Sequence, residues 1–195
     1  MENRYSLLDY SMPEHRFRFA GWCAATASSS SPNCRFTVET GLQILNLSGT
    51  SKLFVDWTSI PSCEQDFDQL HKKMCKQIME TSTLHKIKLS GKKAEFTYGI
   101  AAKLLSCYLK PIFMIGIDCP NDALIEKKRA YIHPPIDRVL LKNCKKEEPK
   151  AFNSIKNISW STFSENQYFD VIWAIREFLN GEPLWKIEYC WDGYR

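Results

Sequence analysis

The chain has 195 residues, 44% of them hydrophobic and 25% charged, enough to bury one core and ordinary for a globular protein. A formal charge of +4 permits an anionic partner, but the pI of about 8.6 falls short of the values above ~9 that mark many nucleic-acid binders. No apolar run approaches the roughly 18 residues of a membrane span, and the N-terminus lacks the apolar stretch of a secretion signal. The expectation is a single cytoplasmic domain, residues 1–195, with no membrane association.

Ser11, Pro13 and Glu14 form a helix start, with a capping hydroxyl, a first-turn proline and an acid at the reciprocal position. The helix is expected to run to about Thr26, burying Phe17, Ala20, Ala24 and Ala27 before the serine run 28–31. His15, Arg18 and Trp22 share a face. A cation beside an indole suits a nucleic-acid backbone and base, although such a tryptophan more commonly packs under a loop.

Thr37 to Leu47 reads as a second helix with Val38, Leu42 and Leu45 inward, stopped near Gly49, and Lys52 to Ile60 as irregular or briefly extended. Ser62 with Gln65 is another capping signal, followed by the helical stripe Phe67, Leu70, Met74 and Ile78. His71 and His85 have no ligands at metal spacing and read as structural. The eight cysteines, at 23, 34, 63, 75, 107, 119, 144 and 190, include no Cys-x-x-Cys pair. They read as structural thiols, with no zinc, iron–sulfur cluster or disulfide.

From Leu84 to Tyr98, Ile87, Leu89, Ala94, Phe96 and Tyr98 alternate with polar residues around Ser90-Gly91, the pattern of a short hairpin. A helical hairpin or an irregular loop fits nearly as well. Lys86, Lys88, Lys92 and Lys93 make this stretch strongly basic. Gly99 reads as a turn glycine that opens a central apolar helix up to Lys110, with Ile100, Leu104 and Tyr108 on one side and Ala101, Leu105 and Leu109 beside them. Only Lys103, Ser106 and Lys110 interrupt it, as one narrow polar stripe, with Lys103 placed in the first turn. Pro111 should kink or stop it.

Residues 118–129 read as a polar connection. Ile132-His-Pro-Pro-Ile-Asp137 then delivers an aspartate to the start of a helix carrying Val139, Leu140 and Leu141, which decays into a charged surface loop at 145–150. Ser164 with Gln167 opens the last long helix, burying Phe169, Ile172, Trp173, Ile175 and Phe178 and stopped by Gly181 and Pro183. Leu184 to Trp191 fits a short helix or a strand. The sum is about six helices and a mainly α fold.

Two short motifs resemble the helix–hairpin–helix DNA glycosylase superfamily, nearest to its archaeal 8-oxoguanine branch. They are Gly99-Ile-Ala-Ala-Lys103 and, with Asp137 34 residues after Lys103, Pro135-Ile-Asp137-Arg-Val139. Lys110 also has a counterpart there. The sequence departs from the family's Leu-Pro-Gly-x-Gly hairpin, having Thr97-Tyr98-Gly99 and Ala101 at the second glycine. The resemblance covers Thr97 to about Leu141 and implies a DNA repair enzyme, a bifunctional glycosylase/lyase that excises an oxidised purine without a cofactor.

On that resemblance Lys103 is the nucleophile, its deprotonation favoured by burial and by a helix N-terminus, and Asp137 stabilises positive charge on the sugar. Backbone N–H groups around Gly99 would bind a phosphate, with Lys92, Lys93 and Lys110 as further contacts to duplex DNA carrying a flipped, damaged base. From the residues alone, the plainer reading is that Lys103 snorkels to solvent and Asp137 is simply a good N-cap. A non-enzymatic nucleic-acid-binding module, and a protein-interaction domain using the aromatic C-terminal region, are the alternatives.

Overall fold

The computed structural model describes residues 11–115, 122–152, 155 and 158–193. Its helices are α1 (Met12–Ser28), α2 (Val38–Leu47), α3 (Thr50–Leu53), α4 (Glu64–Leu84), α5 (Tyr98–Leu109), α6 (Ala123–Tyr131), α7 (Arg138–Glu147), α8 (Pro149–Phe152) and α9 (Glu165–Leu179). Short 3-10 segments cover Trp57–Ser59, Trp160–Thr162 and Leu184–Cys190, and a π-turn covers Lys110–Met114. The fold is all-helical, with no strand among the described residues, and it has more helices than six. The additional ones are the four-residue α3 and α8 and the polar α6, none of which carries an apolar stripe long enough to stand out.

α5 is the axis of the molecule. Every residue in it except Cys107 is buried, because it is apolar apart from the narrow Lys103–Ser106 stripe and is packed on by α1, α4, α9 and the Trp160–Thr162 turn. Thr97 caps it, its Oγ1 accepting from the Ile100 N–H and donating to the Ser161 carbonyl. Pro111 converts the end of the helix into the wider π-turn. Lys103 is the sixth residue of α5, so it sits in the second turn and gains little from the helix N-terminus.

The capping signals hold for α1 and for α9, where Ser164 and Gln167 exchange both hydrogen bonds of a capping box. α4 is capped one residue later than the Ser62 reading, by the Cys63 thiol accepting from the Asp66 N–H. The expected hairpin at 84–98 is not formed. Its backbone is instead strapped over the loop after α1: Ser90 bridges Arg35, and the N–H groups of Lys92, Lys93 and Ala94 donate to the carbonyls of Pro32 and Asn33. Gly91 permits this approach, with φ of 110° and room for no Cβ, which would lie 2.8 Å from the Asn33 oxygen.

Residues 145–147, read as loop, continue α7, and residues 184–190 form a 3-10 helix. Trp173 is 61% exposed rather than buried, its ring lying beside the Arg176 guanidinium, and Trp22 is 52% exposed against Phe19. No helix among the described residues is long and apolar enough to cross a membrane.

Candidate functional site

The segment 132–137 that carries Asp137 is anchored by a buried polar network. The His133 Nε2–H donates to Asp68 at 2.9 Å, and the Arg176 guanidinium grips the same carboxylate with two bonds of 2.8 and 3.0 Å while also pairing with Glu64. Tyr168 donates to His133 Nδ1 at 3.3 Å and lies 3.4 Å from His71 Nε2, whose ring it stacks on. Burial raises the Asp68 carboxyl, but the His133 and Arg176 bonds outweigh it and hold the group well below the usual carboxylate range. Burial pushes both imidazoles below their ordinary value, which keeps them neutral. His71, read as structural, is therefore part of the scaffold that fixes the Asp137 arm.

Asp137 caps α7. Its Oδ1 accepts from the Leu140 N–H at 2.9 Å, and its Oδ2 accepts from the Trp191 indole N–H at 3.1 Å. Lys103 reaches the same Oδ2, with Nζ at 3.6 Å, an ion-pair separation beyond hydrogen-bond length. The lysine is only 6% exposed, and its ammonium lies 4.4 Å from the centre of the Trp160 ring. The two sequence candidates therefore meet, and snorkelling of Lys103 to open solvent is ruled out.

They meet in a cleft of about 870 Å³. One side is the exposed face of α7, with Arg138, Lys142, Lys145 and Lys146; the other carries the seryl hydroxyls of Ser30, Ser31, Ser159 and Ser161. Five cations and one carboxylate line the space, and Asp137 is already matched by Lys103 and Trp191. Low-dielectric walls of one sign focus a positive potential there. Cys107, one helical turn beyond Lys103, is no rival nucleophile: burial pushes its thiol up to about 12 despite Lys103 and Lys110 nearby.

The other expected contacts are placed differently. Gly99 is buried inside α5, and its N–H donates to the Phe163 carbonyl at 3.2 Å, so that donor is unavailable to a phosphate. A Cβ there would fall 1.8 Å from the Trp160 carbonyl oxygen, which makes Gly99 a packing glycine. Lys110 pairs with Glu188 and does not line the cleft. Lys92 and Lys93 are exposed; their backbone holds the Pro32 loop at the cleft wall, but their side chains are not part of its lining.

Sequence reasoning missed Trp160, Trp191 and the α7 cations. The spacing of Arg138, Lys142 and Lys146 was visible but lay partly in residues read as loop; the tryptophans come from distant segments and carry no local signal. Of the aromatic C-terminal region, Trp191 turns in to Asp137 while Tyr189 is exposed. Among the described residues no three His, Cys, Asp or Glu side chains gather as a metal site, and the described cysteines are free thiols. Compared with known proteins, the chain matches no family model, no curated protein and no solved structure.

Proposed function

We propose that the protein is a DNA glycosylase/lyase acting on an oxidised purine through a lysine Schiff base. The observation that carries this reading is Lys103 facing Asp137 at 3.6 Å in a cation-lined cleft. In the reaction the free amine of Lys103 adds to C1′ of a flipped nucleotide. The bond from C1′ to the base breaks, its electron pair leaving with the base, which takes up a proton. The nitrogen then loses a proton and the sugar ring opens, giving the imine. Asp137, held by Leu140 and Trp191, stays a carboxylate facing the positive charge that develops on the sugar.

Borohydride reduces such an imine to a stable amine. Incubation with 8-oxoguanine or abasic duplex plus borohydride should yield a covalent protein–DNA adduct, lost in Lys103→Gln. Absence of an adduct across oxidised, deaminated and abasic duplexes, with folded protein, overturns the reading. A non-catalytic nucleic-acid-binding module is the second reading, favoured by the Trp160 ring packed against the Lys103 amine. Such a module would bind DNA and trap nothing.

A further inference from the structure

We infer that the outer face of α7 is a track for the phosphodiester backbone of a nucleic-acid strand, taking the place of the hairpin N–H groups that Gly99 has committed elsewhere. The inference shares with the proposed function only the class of ligand. Arg138, Lys142 and Lys146 follow one another at i and i+4, so they project from one face of the helix. All three are exposed, line the same cleft as Lys103, and have no carboxylate partner among the described residues.

Cations on a solvated helix normally alternate with acids. Here the neighbouring acid on the cleft side is Asp137, which is occupied by Leu140, Trp191 and Lys103. At about 1.5 Å per residue the ridge is about 12 Å long, with a cation every ~6 Å. Measured along the duplex axis, one strand of B-DNA carries a phosphate about every 3.4 Å, so a ridge lying parallel to that axis spans roughly three to four of them. A repeating anion matches a repeating cation row better than a compact acidic ligand does. Lys145, between them, donates to the Ile155 carbonyl at 3.1 Å and ties α7 to another part of the cleft lining, which fixes the ridge relative to Trp160.

The ridge also lies on the right element. α7 begins at Asp137, so a strand held along it passes the Lys103–Asp137 pair at the helix start. The potential from three unpaired cations is additive along such a strand and falls with salt, which makes the inference quantitative.

The test is the salt dependence of binding to fluorescein-labelled duplex and single-stranded oligonucleotides by anisotropy. It compares the full chain with an Arg138→Gln/Lys142→Gln/Lys146→Gln variant. A Lys52→Gln/Lys73→Gln/Lys127→Gln variant removes the same charge from exposed positions elsewhere. Loss of three phosphate contacts should lower the log–log salt slope by about 2.7 on duplex or about 2.1 on a single strand, and weaken binding at 0.1 M salt by roughly two to three orders of magnitude. The control variant should keep most of the slope. Should the triple variant not fold, Lys142→Gln alone should lower the slope by about 0.9 on duplex.

An unchanged slope in the ridge variant overturns the inference, as does an equal loss in the control. No binding by the unaltered chain overturns it too, and equal affinity for polyglutamate would reveal a general polyanion surface instead. Ridge-dependent binding without borohydride trapping would leave the track standing and remove the lyase. Trapping with a ridge-independent slope would do the reverse.

Discussion

Substituting Gly99 by alanine separates two physical roles with opposite signs. Alanine is the better helix former by about 1 kcal/mol in a helix interior, so a glycine kept only for local flexibility would be improved by the change. In this structure the added Cβ would lie 1.8 Å from the Trp160 carbonyl oxygen and 3.1 Å from the Phe163 Cβ. Carbon needs well over 3 Å from either, and the nearest atom is backbone, so α5 and the Trp160–Thr162 turn must move apart by more than 1 Å. That movement stretches the bond from the Gly99 N–H to Phe163, now 3.2 Å.

Overpacking of this kind costs about 1–3 kcal/mol, and the weakened bond a further 0.5–1.5 kcal/mol. Against the propensity gain, the net is a loss of about 0.5–3.5 kcal/mol, a fall in Tm of roughly 1–14 °C for a chain of this size. Thermal unfolding followed by far-UV circular dichroism measures it. Tryptophan fluorescence should also change, because Trp160 shifts on the Lys103 amine. A variant as stable as the parent, or more stable, would refute the packing role and return Gly99 to the flexible hairpin its motif suggests.

Asp137→Asn should cost about 2–4 kcal/mol, since the amide has one acceptor oxygen for two donors, Leu140 N–H and Trp191 Nε1–H, and leaves the nearly buried Lys103 without its countercharge. Chemical denaturation checks this, and a loss below about 1 kcal/mol would mean that the indole bond contributes little. Acid should unfold the protein in two stages, read as Tm against pH. His71 and His133 have folded pKa values below the unfolded ~6.5, so the unfolded chain takes up protons first and stability falls as pH drops through that range, by at most about 1.4 kcal/mol per pH unit for each. Asp68, held below its unfolded ~3.9, withdraws its contribution only below that pH. A Tm that rises on acidification from pH 7 to 5 would contradict the buried neutral histidines.

The legible parts of the fold are those written in local chemistry. Ser164 with Gln167, Ser11, and Asp137 all cap the helices that follow them, because a capping side chain needs only residues three positions away. α5, apolar but for its narrow Lys103–Ser106 stripe, could only be central. What failed depended on partners far along the chain. The alternation at 84–98 finds a single bridge to Arg35 instead of a second strand, and a glycine that reads as a hairpin turn is dictated by a carbonyl at position 160. The meeting of Lys103 with Asp137 was legible only as a resemblance; the network from Arg176 through Asp68 to His133 that positions the aspartate had no local trace.

The geometry of the pair bears on whether it exists for stability. A buried ion pair offsets its desolvation only when geometry is excellent and the remaining hydrogen bonds are satisfied. Here Asp137 has two good donors without the lysine, whereas Lys103 has a carboxylate at 3.6 Å and an aromatic face in place of direct hydrogen-bond partners. The two residues should therefore respond asymmetrically. Lys103→Met removes a poorly compensated buried charge, keeps the bulk against Trp160, and leaves Asp137 18% exposed and bonded to Leu140 and Trp191. Its expected effect is neutral or stabilising by about 1 kcal/mol, in contrast to the loss expected for Asp137→Asn; under the proposed function it also abolishes trapping. A large destabilisation by Lys103→Met would show that the amine is a structural tie. A gain in stability is the signature of a lysine held at a cost to the fold, because a residue serving the fold alone would be replaced by methionine only at a loss.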